Sequence, residues 1–130
     1  MQDQIPHLIA AASFLLLLLA GGHAIADYGL QSAYMAQNKV PSLLNLDWFV
    51  TLGAHCLIHA VIVGVVAFAF LGMAGLDPLP LAALLGWAEF GAHFAIDRGK
   101  GLGRFNYRTD QALHYGCKLV WAAAILAAVA

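Results

Sequence analysis

The stretch Glu89-Phe90-Gly91-Ala92-His93-Phe94-Ala95-Ile96-Asp97 sets a carboxylate, an imidazole and a second carboxylate four residues apart each time. On an α-helix a step of four residues turns the side chain by only about 40° around the axis. The three groups therefore form one polar stripe on an otherwise apolar rod, and such a stripe needs polar partners from neighbouring rods. Three further pairs repeat the spacing: His23 with Asp27, His55 with His59, and Asp110 with His114. Of six histidines, five fall in this pattern, as do four of the seven acidic residues. That concentration points to one shared site.

The surroundings of these pairs fix the class of protein. The chain has 130 residues, of which 62% are hydrophobic and 10% charged, with a mean hydropathy of +0.80. A soluble domain carries about a quarter of its residues as charges, so this chain cannot clothe a water-facing surface. It reads as an all-α, polytopic membrane protein: a single four-span transmembrane domain over residues 1–130, at about 20 apolar residues per span. A formal net charge of −1 argues against a nucleic-acid partner. Cys56 and Cys117 lie inside apolar segments and read as small core residues, not as a disulfide framework.

Span one runs from about Ile5 to Asp27 around Phe14-Leu15-Leu16-Leu17-Leu18-Leu19, with Gly21-Gly22 allowing close helix contact. Ala24-Ile25-Ala26 has the small-x-small form of a signal-peptide cleavage site, but residues 1–7 hold no Lys or Arg, so a retained span is expected. Residues 28–47 form a more polar connection that can begin as an interfacial helix over Tyr28 to Ala36. Span two runs from Asp47-Trp48 to about Leu71, and a short turn around Asp77, with Pro78 and Pro80, leads into span three at Leu79 to Asp97. Arg98 to Thr109 reads as a Gly-rich basic loop, and span four follows from Asp110.

Lys39 lies in the first connection, and Arg98, Lys100, Arg104 and Arg108 in the third; the N-terminus, the Asp77 turn and the C-terminal tail carry no Lys or Arg. The positive-inside rule then puts the first and third connections in the cytoplasm and both termini outside. All four pairs fall in the same, cytoplasmic half of the bundle. Chance scatter of nine polar residues would rarely give one layer.

A charge or imidazole in hydrocarbon costs a few kcal/mol on insertion scales, so these groups face inward and find partners. One outcome is a hydrogen-bonded polar core without metal, with Glu89 paired to Lys118, four residues after His114. The other is a metal site. Imidazole and carboxylate are ligands of Zn, Fe and Mn, and His23, Asp27, His55, His59, Glu89, His93, Asp97, Asp110 and His114 exceed what one ion needs. Two divalent ions would use most of them, with some of the nine orienting ligand histidines instead. His7 sits at the opposite end of span one. The segment Arg98–Arg108 reads as a topology signal that touches anionic headgroups, or as a flexible flap over the site that holds a phosphate. Its glycines lack the order of a nucleotide-binding loop.

Four segments carry a resemblance. His23-Ala24-Ile25-Ala26-Asp27-Tyr28-Gly29-Leu30-Gln31 with Lys39, then His55-Cys56-Leu57-Ile58-His59, then His93-Phe94 and Asp97 with Lys100, then Asp110-Gln111-Ala112-Leu113-His114 resemble, in order, the signatures of a family of small bacterial and phage membrane proteins of unknown function. Its His/Asp pattern is similar to that of membrane-bound metal-dependent hydrolases. The resemblance implies a multi-pass protein of the bacterial inner membrane and favours metal.

The expected function is a metal-dependent hydrolase of a membrane-associated ester or phosphoester. In it Glu89 or Asp110 takes a proton, while Lys118 and the basic segment neutralise substrate charge. The alternatives are a di-iron membrane oxidoreductase and a proton or metal-ion transporter or sensor. Lipids are the certain surroundings, and a homo-oligomer stays open.

Overall fold

The structure is a computed structural model that describes residues 4–44 and 46–130. Four long helices, α1 (Gln4–Ala24), α3 (Asp47–Met73), α4 (Leu79–Gly101) and α5 (Tyr107–Val129), are joined by short connections and one six-residue helix, α2 (Ala33–Asn38). All four are long and apolar enough to cross a membrane; the first candidate span reaches from Pro6 to Gly29. In hydrocarbon every backbone N–H and C=O must be satisfied within the segment, so these apolar runs have little choice but the helix.

The long helices form a ring in which α1 touches α3 and α5, and α4 touches α3 and α5; α3 lies most extensively on α4. That contact is close because of glycine. A Cβ on Gly86 of α4 would sit 3.2 Å from the carbonyl oxygen of Ala60 on α3 and 3.8 Å from the Cα of Gly64. Small residues thus let two backbones approach, one turn from His59 and from Glu89. On α1, Gly22 instead makes room for the Ile62 side chain of α3.

The bundle interior divides into two halves. One is apolar: Leu15, Leu19, Val63, Ala67, Leu71 and Ile125 lead its buried cluster. The other half holds the histidines and carboxylates. Between their ends the outward faces are largely apolar, with Leu17, Val61, Val65, Leu84, Trp87 and Leu119 exposed, as suits a lipid-facing surface.

Helix boundaries differ from the sequence expectation in three places. Span one does not stop at Asp27: after Ala24 the helix widens into one π turn over Ile25–Gly29, closed by Leu30 N–H donating to the Ile25 carbonyl at 2.9 Å. The interfacial helix starts later than Tyr28, at Ala33, where the Ser32 hydroxyl accepts from Met35 N–H and caps it. Most of the supposed basic loop is helical, because α4 continues through Arg98 and Lys100 to Gly101 and α5 begins at Tyr107. Only residues 102–106 turn, with Gly103 at φ +71° and the Asn106 side chain capping α5 through Thr109 N–H. The glycines expected to make a flap instead receive neighbours: Phe105 lies against Gly99, and Pro41 against Gly101.

Candidate metal centre

Each long helix contributes its stripe to one layer. His23, His55, His59, Glu89, His93, Asp97, Asp110 and His114 are buried, and Asp27 is half-buried with a side-chain exposure of 13%. All nine residues therefore come together, whereas His7 is exposed and lies near the far end of α1. The π turn matters here. Such turns recur at functional sites because they re-aim a side chain without ending the helix. In this turn Asp27 Oδ1 lies 3.2 Å from His59 Nε2 and 3.4 Å from His55 Nε2, while Oδ2 lies 3.4 Å from His23 Nε2.

The donor set Asp27, His55, His59 and His93 is compact enough for a single ion. Ligand atoms about 2.0–2.2 Å from a tetrahedral ion stand about 3.3–3.6 Å from one another. The separations of 3.2 and 3.4 Å to Asp27 Oδ1, and 3.3 Å between His55 Nε2 and His93 Nε2, lie close to that edge length. The tautomer of His93 fits too. Its Nδ1 donates to Glu89 Oε1 at 3.2 Å, since a carboxylate only accepts. Its Nε2 then carries a lone pair, and that lone pair faces His55 Nε2.

Glu89 stands outside every donor set that the geometry brings together. It accepts from His93, from Lys118, and from Trp121 Nε1 at 2.6 Å. The carboxylate is fully engaged, and its contact with the metal centre is through His93. Such a carboxylate orients a ligand histidine and raises its basicity. Lys118 is buried with it at the apolar side of the layer.

A second donor set, Asp97, Asp110 and His114, lies beside the first, and a third joins His23 to His93 and His114. His114 Nε2 is 3.1 Å from Asp97 Oδ1 and 3.6 Å from Asp110 Oδ1. Two lysines already serve these acids: Lys39 Nζ lies 2.7 Å from Asp97 Oδ2, and Lys100 Nζ 3.0 Å from Asp110 Oδ2. Glu89, Asp97 and Asp110 thus each have an ammonium. Asp27 is the exception: among the described residues it meets histidines and the Gln111 amide at 3.2 Å, but no lysine.

The imidazoles are short of partners. His23 Nδ1 and Nε2, His55 Nδ1, His59 Nε2 and His114 Nδ1, together with Asp110 Oδ1, are buried without a hydrogen bond. Each such atom costs about 1–3 kcal/mol in a folded protein unless something satisfies it. His59 and His93 stack at 3.7 Å and His93 lies 4.0 Å from His114, ring centre to ring centre. These imidazoles with unused nitrogens, around an acid that no lysine meets among the described residues, could hold a metal ion.

A cavity of about 390 Å³ opens beside this layer, lined by Asp27, Tyr28, Gln31, Lys39, Asp97 and Lys100, and also by Tyr107 and Gln111. Its walls are the ends of the long helices and the connection over residues 31–40. Of the basic residues of the 98–108 segment only Lys100 reaches it; Arg98, Arg104 and Arg108 are exposed on the outside. Lys39 lies at the site, whereas the sequence offered it only as a topology signal and, with Gln31, as part of a family-like signature without a role. Gln31 accepts from Lys39 at 2.8 Å, and Trp121 is a contact that the sequence reading did not single out. Trp121 carried a signal, standing three residues beyond Lys118 on the stripe of α5. Cys56 and Cys117 are free thiols and belong to none of the donor sets.

No curated protein and no solved structure matches the chain. Residues 13–129, which include all nine stripe residues and both cavity lysines, match the model of DUF3307, a family of proteins of unknown function, and the chain belongs to that family.

Proposed function

We propose that this protein is a metal-dependent hydrolase of the bacterial inner membrane that acts on a membrane-associated ester or phosphoester. One observation carries the reading: Asp27 is at once the anionic member of the compact donor set and part of the cavity wall. An ion held by Asp27, His55, His59 and His93 therefore faces the space where a substrate enters. Zinc, iron or manganese fits these ligand types. When bound, it supplies a water of lowered pKa and polarises the scissile group.

The chain's own residues supply the rest. Glu89, held by Lys118 and Trp121, keeps His93 in the tautomer that offers Nε2. Asp110, whose Oδ1 has no partner and whose Oδ2 accepts from Lys100, serves as the proton acceptor. Lys39 and Lys100 give the cavity wall its positive charge.

The charge balance favours one ion before two. With the histidines counted as neutral, four carboxylates face three lysines in the layer and leave one negative charge. One divalent ion reverses that sign. A second, at Asp97, Asp110 and His114, must first displace ammoniums.

Two alternatives fit less well. Di-iron oxygen chemistry relies on bridging carboxylates, and here three of four are held by lysine. Transport needs a polar route across the bundle, whereas the half beyond Glu89 is packed with apolar side chains. In the membrane, the connections 30–46 and 102–106 face the cytoplasm on this reading. Elemental analysis of purified protein, with hydrolysis of ester and phosphoester probes before and after chelation, tests it. We expect close to one metal per chain and activity that returns with metal. A chain that takes up none refutes the reading, and iron with a visible absorption band turns it toward redox chemistry.

A further inference from the structure

Two lysines on the wall of a cation site need a reason. Each ammonium has three N–H donors. Lys39 spends one on Asp97 and one on Gln31, and Lys100 spends one on Asp110. Three donors are left over, on two ammoniums that both line the same cavity. Gln31 uses its oxygen on Lys39, which leaves its NH2 group as a further donor at the wall. One O–H of the Tyr28–Tyr107 hydroxyl pair is also spare, so the wall offers several uncommitted donors beside the Asp27 and Asp97 carboxylates. Its volume of about 390 Å³ is many times the roughly 30 Å³ share of one water.

Resting on the hydrolase reading, we infer that this cavity is a phosphate subsite: Lys39, Lys100 and Gln31 hold a phosphate-bearing group beside the ion at Asp27, and only after that ion is bound. The ordering follows from charge. On the wall Asp27 and Asp97 balance Lys39 and Lys100, and Asp110, buried behind Lys100, adds one further negative charge, so with neutral histidines the metal-free site does not attract an anion. A divalent ion makes the same wall net positive and adds an electrophile for the phosphate oxygens. The substrate class narrows accordingly, from esters in general to phosphoesters. Recognition comes from the first connection and the end of α4, with the outward-facing Arg98, Arg104 and Arg108 contributing no contact.

The test uses the full chain in phosphatidylcholine nanodiscs, metal-loaded or chelated, titrated with inorganic phosphate by calorimetry. We expect saturable binding to the metal-loaded protein and none to the chelated one. Lys39→Gln and Lys100→Gln should each weaken it by about tenfold or more while keeping the metal, and Arg98→Gln should leave it unchanged. Nanodiscs that contain phosphatidic acid separate the two sources of the group. If the lipid displaces inorganic phosphate, the natural ligand is a lipid headgroup; if it does not, the site takes a soluble phosphoester. Failure of the wild type to bind metal refutes the hydrolase reading itself. Metal-loaded protein that ignores phosphate, binds it equally without metal, or binds it unchanged in both lysine variants overturns the subsite alone. Should a lysine variant not fold, the wild-type titration with and without metal still decides.

Discussion

Replacing Asp27 by Asn separates a metal centre from a polar core, because it removes a charge without changing shape. In the metal-free protein the loss is modest. Asp27 accepts from the Gln111 amide at 3.2 Å and faces His59 and His55 at 3.2 and 3.4 Å. An Asn oxygen accepts most of the same bonds, and weakening them costs about 1–3 kcal/mol. In the metal-loaded protein the change removes the only anion of the donor set. Outer-shell changes alone lower affinity about 10–100-fold, so a loss of at least about 100-fold is expected. At a metal concentration of 100 times the wild-type Kd, binding stabilises the wild type by about 2.7 kcal/mol and the variant by only about 0.4 kcal/mol. The assay is thermal unfolding in detergent with and without added zinc, alongside metal content after dialysis. Wild type should melt higher with metal; Asp27→Asn should scarcely respond. A variant that melts lower than wild type by the same margin in both conditions, with full metal occupancy, would falsify the assignment of Asp27.

Three further outcomes are expected. Glu89→Gln should lower metal affinity about tenfold or more through His93 and destabilise the fold by leaving Lys118 buried without its partner; pairing it with Lys118→Met should recover stability but not affinity, as a double-mutant cycle on melting and metal titration would read. Gly86→Ala should cost about 1–3 kcal/mol of stability, since its Cβ would meet the Ala60 carbonyl at 3.2 Å, and should weaken metal binding by moving His55 and His59 away from His93; unchanged metal affinity in a destabilised variant would show that the close crossing serves packing only. Cysteine labelling should place position 77 outside and position 104 in the cytoplasm, and the reverse pattern would overturn the orientation.

The four spans were readable from the length of the apolar runs, and the shared layer from periodicity. A four-residue spacing of polar groups within apolar helices survives any detail of packing, and the Glu89–Lys118 pair follows from the same arithmetic on α4 and α5. What periodicity cannot show is where a connection folds back. Lys39 lies in a polar stretch of no particular period, and it reaches Asp97 only because the chain turns after the π turn and α2 carries it over the mouth of the bundle. The 98–108 segment misled for a related reason. Its glycines resemble loop residues, yet Gly99 and Gly101 are helical positions whose missing side chains make room for Phe105 and Pro41. The π turn itself leaves no mark in sequence, although it gives Asp27 its aim.

The distribution of counter-ions explains how one stripe serves both folding and chemistry. A charge within a span is tolerated when it has a partner, and Glu89, Asp97 and Asp110 bring theirs on neighbouring elements: Lys118 on α5, Lys39 after α2, and Lys100 on α4. Those three pairs assemble whenever the helices pack. Asp27 has no ammonium among the described residues, and several nitrogens of the imidazoles around it have no hydrogen bond. An ion held there would add to the stability of this half of the bundle in particular, as binding free energy becomes folding free energy where the site is otherwise incomplete. The apolar half, with Leu15, Leu19, Val63 and Ile125 at its centre, holds the four helices together without help. Removal of metal should then loosen the polar ends and leave the apolar ends packed.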